Sequence, residues 1–267
     1  MIISFFFGCS HPNRDEESKE RNFVLKNNIK KITEYLTIIN PGEMQLKEQI
    51  NHEKLYDDNG FKIKEIIYND DGVIENIISL NYDKKGNLIF RKAVKPDSSI
   101  SYSDARIFDA HSNKTDYYFY NPDGSVLYKK AAKYDNYGRL TESRMYHDGV
   151  LKAVNKYTYQ DMQMLENEEC DSAGNFRHKW LYKFDEFGNL TEEAQYNVNN
   201  YCTMKNLYEF NMARQLVKEI KYIGAYIQYR ASYQYNGNGL LDAKIEYSTN
   251  GKISARYRYQ YGIKKNI

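Results

Sequence analysis

An aromatic residue followed by Asp, two loose positions and Gly recurs along this chain at an interval that hardly drifts. Aligning its leading aromatic gives Tyr56, Tyr82, Phe108, Tyr134, Tyr159, Phe184, Phe210, Tyr235 and Tyr261. Subtracting neighbours gives spacings of 26, 26, 26, 25, 25, 26, 25 and 26 residues. So regular a period means a repeat architecture, in which each unit buries its apolar side against the next.

Within the unit, Asp accepts hydrogen bonds from backbone N–H groups two residues on. Gly then supplies the positive φ that closes a turn with a bulge. Asp135 and Gly138 are a clear pair; Ser112 and Gln163 occupy the Gly slot in eroded copies. A second anchor falls 12 residues after most leading aromatics, at Tyr68, Tyr120, Tyr146, Tyr196, Tyr222 and Tyr247. Turn sequences follow it, such as Asn121-Pro122-Asp123-Gly124 and the tighter His147-Asp148-Gly149. Each period therefore holds two strands and two turns. The expected fold is all-β: an elongated, curled single antiparallel sheet, a meander of about 16–18 short strands.

Alternation places side chains on faces. Trp180-x-Tyr182-x-Phe184, Tyr208-x-Phe210, Tyr233-x-Tyr235 and Tyr257-x-Tyr259-x-Tyr261 form aromatic columns, with Lys183, Glu209, Gln234, Arg258 and Gln260 between them. The same parity carried along the other strand reads Leu190-x-Glu192-x-Ala194-x-Tyr196. It puts Glu142, Arg144 and Glu192 on the aromatic face, which is expected to turn inward.

Tyr dominates the apolar side of this face: 27 Tyr stand in a chain of 267 residues whose mean hydropathy is −0.80. Tyr covers apolar surface while its hydroxyl stays wet, which suits a thin curled sheet. The 38 basic and 36 acidic residues interleave to a net charge of +2, so no electrostatic footprint for nucleic acid appears. No run of eighteen apolar residues predicts a membrane-spanning helix.

The division along the chain follows from these patterns. Residues 1–9 are apolar and end in Gly8-Cys9; residues 10–28 are charged and read as a flexible tether. Counting back 26 from Tyr56 reaches residue 30, so residues 29–55 read as a degenerate first repeat, ahead of the repeat domain at 56–267. The first segment resembles the end of a bacterial lipoprotein signal peptide. That resemblance implies lipid attachment at Cys9 and a location on the bacterial cell envelope, in the outer membrane or periplasm. Phe6 stands where that family usually has Leu, and no Lys or Arg precedes the apolar run. A translation start further upstream would supply the missing basic region.

Chemistry-bearing motifs are sparse. The five histidines, His11, His52, His111, His147 and His178, show no metal-ligand spacing with Cys or carboxylates. No phosphate loop, nucleophile elbow or His-Glu-x-x-His occurs. The expectation is no enzyme, no metal and no cofactor. Cys170 and Cys202 lie three strands apart, about 14 Å across a sheet, which predicts two reduced, half-buried thiols.

Tyr134-Asp135-Asn136-Tyr137-Gly138-Arg139-Leu140-Thr141 closely resembles the YD repeat of RHS-type bacterial surface and toxin proteins. Phe184 to Thr191 and Tyr82 to Leu88 match nearly as well, and the looser likeness spans residues 56 to 261. The resemblance implies a curled β-sheet serving as shell or scaffold, without catalytic residues of its own, in a small secreted or lipid-anchored protein. The turns also resemble, more weakly, MORN-variant repeats, some of them found in antitoxin proteins.

Three functional readings follow. The first is a non-catalytic binding or scaffold module of the cell envelope, held to the membrane only through a lipid on Cys9. Its partner is a protein or a glycan, met on aromatic residues such as Trp180, Tyr182, Tyr208, Tyr233, Tyr257 and Tyr259, unless those columns simply fill the curl. The second is a cytoplasmic MORN-like interaction or antitoxin protein. The third is a hydrolase or lyase working through Glu142, Glu168, Glu169 or Glu192.

Overall fold

The computed structural model describes residues 14–39 and 47–264. Helix α1 (Arg14–Lys26) precedes a pair of strands, β1 (Ile29–Ile38) and β2 (Glu48–Tyr56), where the degenerate repeat was expected. There follow β3 (Lys62–Tyr68), β4 (Ile74–Tyr82), β5 (Leu88–Val94), β6 (Ile100–Phe108), β7 (Lys114–Tyr120) and β8 (Val126–Tyr134). Next come β9 (Leu140–His147), β10 (Val150–Gln160), β11 (Gln163–Asp171), β12 (Phe176–Phe184) and β13 (Leu190–Asn197). The wall ends with β14 (Cys202–Phe210), β15 (Leu216–Ile223), β16 (Tyr226–Tyr235), β17 (Leu241–Tyr247) and β18 (Ile253–Ile263).

Every strand pairs antiparallel with its chain neighbours, and β18 returns to pair with β1. The open curled meander expected from the repeat is therefore corrected: the sheet closes into an 18-stranded up-and-down barrel. Closure removes the two edges that an open meander would leave with unpaired N–H and C=O groups. It is possible because eighteen is even, so the last strand runs opposite to the first. The closing register sets Ile32 against Tyr261 and Leu36 against Tyr257. On the outer wall, Arg258 of β18 reaches past β1 to Glu48, at 2.9 and 2.7 Å, with its guanidinium 4.0 Å from the Tyr35 ring centre.

Turn chemistry follows the sequence closely. Gly138 and Gly188 have φ of 76° and 80°. Asp135 Oδ1 accepts from the N–H groups of Tyr137 and Arg139, and Asp185 Oδ1 from those of Phe187 and Asn189. In the eroded copy, Ser112 itself takes the positive φ, at 64°. A Cβ on Gly138 would meet only the Asn113 side chain, at 3.4 Å, whereas one on Gly60 would meet Leu25 Cγ at 2.7 Å. Gly138→Ala is expected to cost about 1 kcal/mol. Gly60→Ala is expected to cost more and to loosen α1; equal losses in melting temperature would contradict this packing.

These turns carry a bulge that reverses one parity assignment. Phe184 faces Leu190, but Lys183 faces Glu192, so Thr191 is an extra residue. Leu190 points inward; beyond the bulge the inward residue is Glu193, not Glu192. Tyr196 lies opposite the outward Lys179, and Glu142 opposite the outward Lys133. Glu142, Arg144 and Glu192 thus face out, contrary to the sequence reading, because one inserted residue shifts a period-2 pattern to the other face. The aromatic columns that end at the leading residues do face inward, as expected. Lys133, Lys183, Glu209, Gln234, Arg256, Arg258 and Gln260 stand exposed on the outer wall.

Residues 14–26 form helix α1 instead of the expected tether. The helix docks at the barrel end that carries the Asp-x-x-Gly turns. Its Val24 packs with Ile29, Tyr56 and Leu240, and with Phe23 and Tyr261 at the margin. Tyr56 Oη donates to Glu20 at 2.7 Å, Lys62 Nζ lies 3.4 Å from the same carboxylate, and Arg21 stacks 3.9 Å over the Phe61 ring. Burial raises the Glu20 carboxyl, but Lys54, Lys62 and the Tyr56 hydroxyl together hold it below its ordinary value of 4.5. A depressed folded value stabilises the docked helix above pH about 4.5 and loses that contribution as the pH falls through the folded value. Acidification is therefore expected to speed amide exchange in residues 20–26 before the barrel strands; unchanged exchange there would contradict it. Cys9 lies outside the described residues.

Candidate functional site

Inward side chains repeat in step with the period, so they form belts around the lumen. Eighteen strands about 4.8 Å apart and tilted by about 40° enclose a perimeter of roughly 110 Å. That is wide enough to leave space between opposite walls.

The belt nearest α1 is made of the leading aromatics. Tyr82, Tyr134, Tyr235 and Tyr261 donate their hydroxyls to the carbonyls of Lys62, Lys114, Leu216 and Leu241, at 2.8 to 3.0 Å. Each bond reaches one repeat back, to the first residue after the preceding turn. Burial pushes the Tyr134 hydroxyl up to about 12, with Asp109 adding to it. Tyr56 departs from the pattern, its hydroxyl turning to Glu20 of α1.

Deeper in, the wall differs from one arc to the next. On β10 to β14, Met164, Trp180 and Tyr182 form a buried cluster with Tyr157, Tyr159, Phe184, Leu190 and Met204 around it. On β13 to β18, tyrosines alternate with carboxylates. Tyr208 donates to Glu193 at 2.8 Å, Tyr233 to Glu219 at 2.8 Å and Tyr229 to Glu246 at 3.1 Å. Burial, and then these carboxylates, hold the Tyr208 and Tyr233 hydroxyls well above the usual tyrosine range. Lys244 joins the arc, 2.7 Å from Glu246 and 4.8 Å from the Tyr257 ring centre. On β3 to β8 the inward charges include Lys62, Arg91 and Arg106, with Glu65 and Asp104 between them.

A cavity of about 1270 Å³ opens beside α1 along this last arc. Arg21, Phe61, Tyr82, Arg91, Arg106, Phe108 and Tyr134 are among its walls. Burial pulls the Arg91 guanidinium down, but Asp104 more than offsets it and leaves it above its ordinary value. Burial and Asp104 push the neighbouring Tyr117 hydroxyl up to about 12. Such a space offers ring faces for stacking and guanidinium donors for a polar group.

The six aromatics singled out from sequence all face the lumen, but not as one site. Trp180 and Tyr182 are buried in the packed cluster, at 9% and 4% exposure. Tyr208, Tyr233, Tyr257 and Tyr259 line the carboxylate arc. None of the six borders the 1270 Å³ cavity. The carboxylates considered for hydrolase chemistry are not gathered either. Glu142 and Glu192 face out against Lys133 and Lys183, at 3.1 and 2.9 Å, and Glu168 pairs across to Lys156, while Glu169 faces in near His178. Cys170 is half-buried as expected, but Cys202 is exposed, because it opens β14 beside a turn.

The sequence reading missed Asp104, Arg106 and Arg91. The signal was present: Asp104 and Arg106 occupy the fourth and second positions before Phe108, where the repeat at Phe184 has Trp180 and Tyr182. Charges in an aromatic column are what marks this wall.

No protein-family model matches the sequence, and no curated protein does. Among solved structures, a porin-like protein from Bacteroides uniformis is 7% identical, with a TM-score of 0.45 over 88% of this chain and 97% of that one. TcdB2-TccC3 without its hypervariable C-terminal region is 12% identical, with a TM-score of 0.31 over 83% of this chain and 14% of that one. A putative outer membrane lipoprotein-sorting protein domain from Vibrio parahaemolyticus is 8% identical, with a TM-score of 0.22 over 94% of each chain.

Proposed function

We propose that this chain is a non-catalytic binding module of the bacterial cell envelope, lipid-anchored through Cys9, and that it takes its ligand into the barrel lumen. The observation that carries this reading is the 1270 Å³ cavity beside α1, walled by aromatic rings and guanidinium groups. The charged outer wall supports it, since a water-facing barrel keeps its aromatic surface for the inside. The Gly8-Cys9 junction and its likeness to a lipoprotein signal support the location.

The lumen reading is tested by filling it. Ala132 borders the cavity, and Ala132→Trp is expected to abolish the thermal stabilisation produced by any glycan or peptide that a screen finds. Undiminished stabilisation in the folded variant would place the binding elsewhere and end this reading. The anchor is tested separately, by labelling cells with a fatty-acid analogue. Label on the native protein and none on Cys9→Ala is the expected result; no label on the native protein would favour the cytoplasmic alternative.

A further inference from the structure

Two guanidinium groups share one carboxylate on the β5–β6 wall. Arg91 Nε donates to Asp104 Oδ2 at 2.7 Å, and Arg106 Nη2 lies 3.2 Å from Oδ1, in ion-pair range but out of hydrogen-bond alignment. Asp104 is fully buried and Arg106 is 9% exposed. The balance is two positive charges to one negative, where burial penalises charge that is not matched. Arg106 Nη1 is buried and makes no hydrogen bond among the described residues. A donor in that position is costly to leave unmet.

The neighbouring charges do not supply the missing acceptor. Glu65 lies 2.5 Å from Lys62, and Glu20 is engaged with Lys54, Lys62 and Tyr56. Asp109 and Asp135 cap the backbone of their own turns. Both arginines border the cavity, as do Tyr82, Phe108 and Tyr134.

We propose that Arg91 and Arg106 form an oxyanion site, which receives the carboxylate or phosphate of a small organic ligand whose ring lies against Tyr82, Phe108 and Tyr134. This rests on the lumen being the binding site. Guanidinium groups suit the task because their planar fork matches both anions, and because the contact is charge-assisted. Asp104 holds both groups in place and competes with the ligand for them.

Calorimetry on the full chain with phenyl phosphate, benzoate and benzyl alcohol tests this with one ring and three head groups. The anions are expected to bind at least tenfold more tightly than the alcohol. Arg91→Gln and Arg106→Gln should each weaken the anions at least tenfold and leave the alcohol unchanged, while Arg106→Lys should retain part of the affinity. Asp104→Asn should tighten anion binding, a gain that misfolding does not mimic; Arg256→Gln on the outer wall should change nothing. Binding of only one anion supports the site and names its head group. Benzyl alcohol binding as tightly as the anions would leave the lumen reading standing and overturn the arginine site, as would anion affinities indifferent to both Arg→Gln changes. Binding of none of the three would overturn the arginine site, and the lumen reading would then be decided by the Ala132→Trp result alone.

Discussion

Removing one strand from this barrel is expected to abolish folding, whereas removing two is not. Deleting residues 159–183 takes out β11 and β12 and joins Thr158 to Phe184, another leading aromatic. Sixteen strands remain, still even, so β18 can still pair antiparallel with β1. The shortened barrel loses Met164, Trp180 and Tyr182 from its packed cluster and should melt at a lower temperature, yet give a strand-type circular dichroism spectrum and elute as a monomer. Deleting β12 alone reverses every strand after it. β18 would then run parallel to β1, the closing ladder would be lost, and two edges would open to aggregation. Aggregates or an unfolded spectrum are the expected result. A soluble, folded single-strand deletion would contradict closure of the sheet.

The largest expected effect of a single substitution is at Trp180. It is 9% exposed at the centre of the cluster with Met164 and Tyr182. Trp180→Ala leaves a void that the hydrogen-bonded wall cannot collapse to fill, and should cost about 3–5 kcal/mol. For a chain of this size that lowers the melting temperature by roughly 10 °C. Tyr137, 78% exposed at a turn, should by contrast tolerate Ala with a change within about 0.5 kcal/mol. Similar losses at both positions would mean that the cluster is not a core. The Trp180 result also bears on ligand binding, since a packed Trp180 serves stability and not recognition.

Much of the candidate site was legible and much was not. The inward course of Tyr208, Tyr233, Tyr257 and Tyr259 follows from alternation along strands that end at a leading aromatic. Glu193, Glu219 and Glu246 sit beyond a bulge, and there alternation assigns the wrong face. Glu192 shows the error most plainly: it shares Leu190's parity by count, yet Thr191 is looped out and Glu192 points to water. The bulge comes from the same Gly turn that makes the repeat recognisable, so the parity was in principle recoverable from turn type.

The sequence by itself determined the all-β class, the two strands and two turns per period, the positive φ at Gly138 and Gly188, and the nearest-neighbour order of strands. These are local matters, decided by turn chemistry and by contacts within about one period. Closure, the docking of α1 and the pairing of Arg91 and Arg106 over Asp104 were decided only by tertiary structure. β1 meets β18 more than two hundred residues away in sequence, as in Ile32 against Tyr261, and no local signal records such a contact. Whether a twisted meander stays open or joins its ends depends on the accumulated curvature and on the parity of the whole strand count. The charged, helix-led N-terminal segment was read as a tether because its composition is polar. Its apolar residues, Phe23, Val24 and Leu25, are few, and only the finished barrel end offers them a surface to pack against.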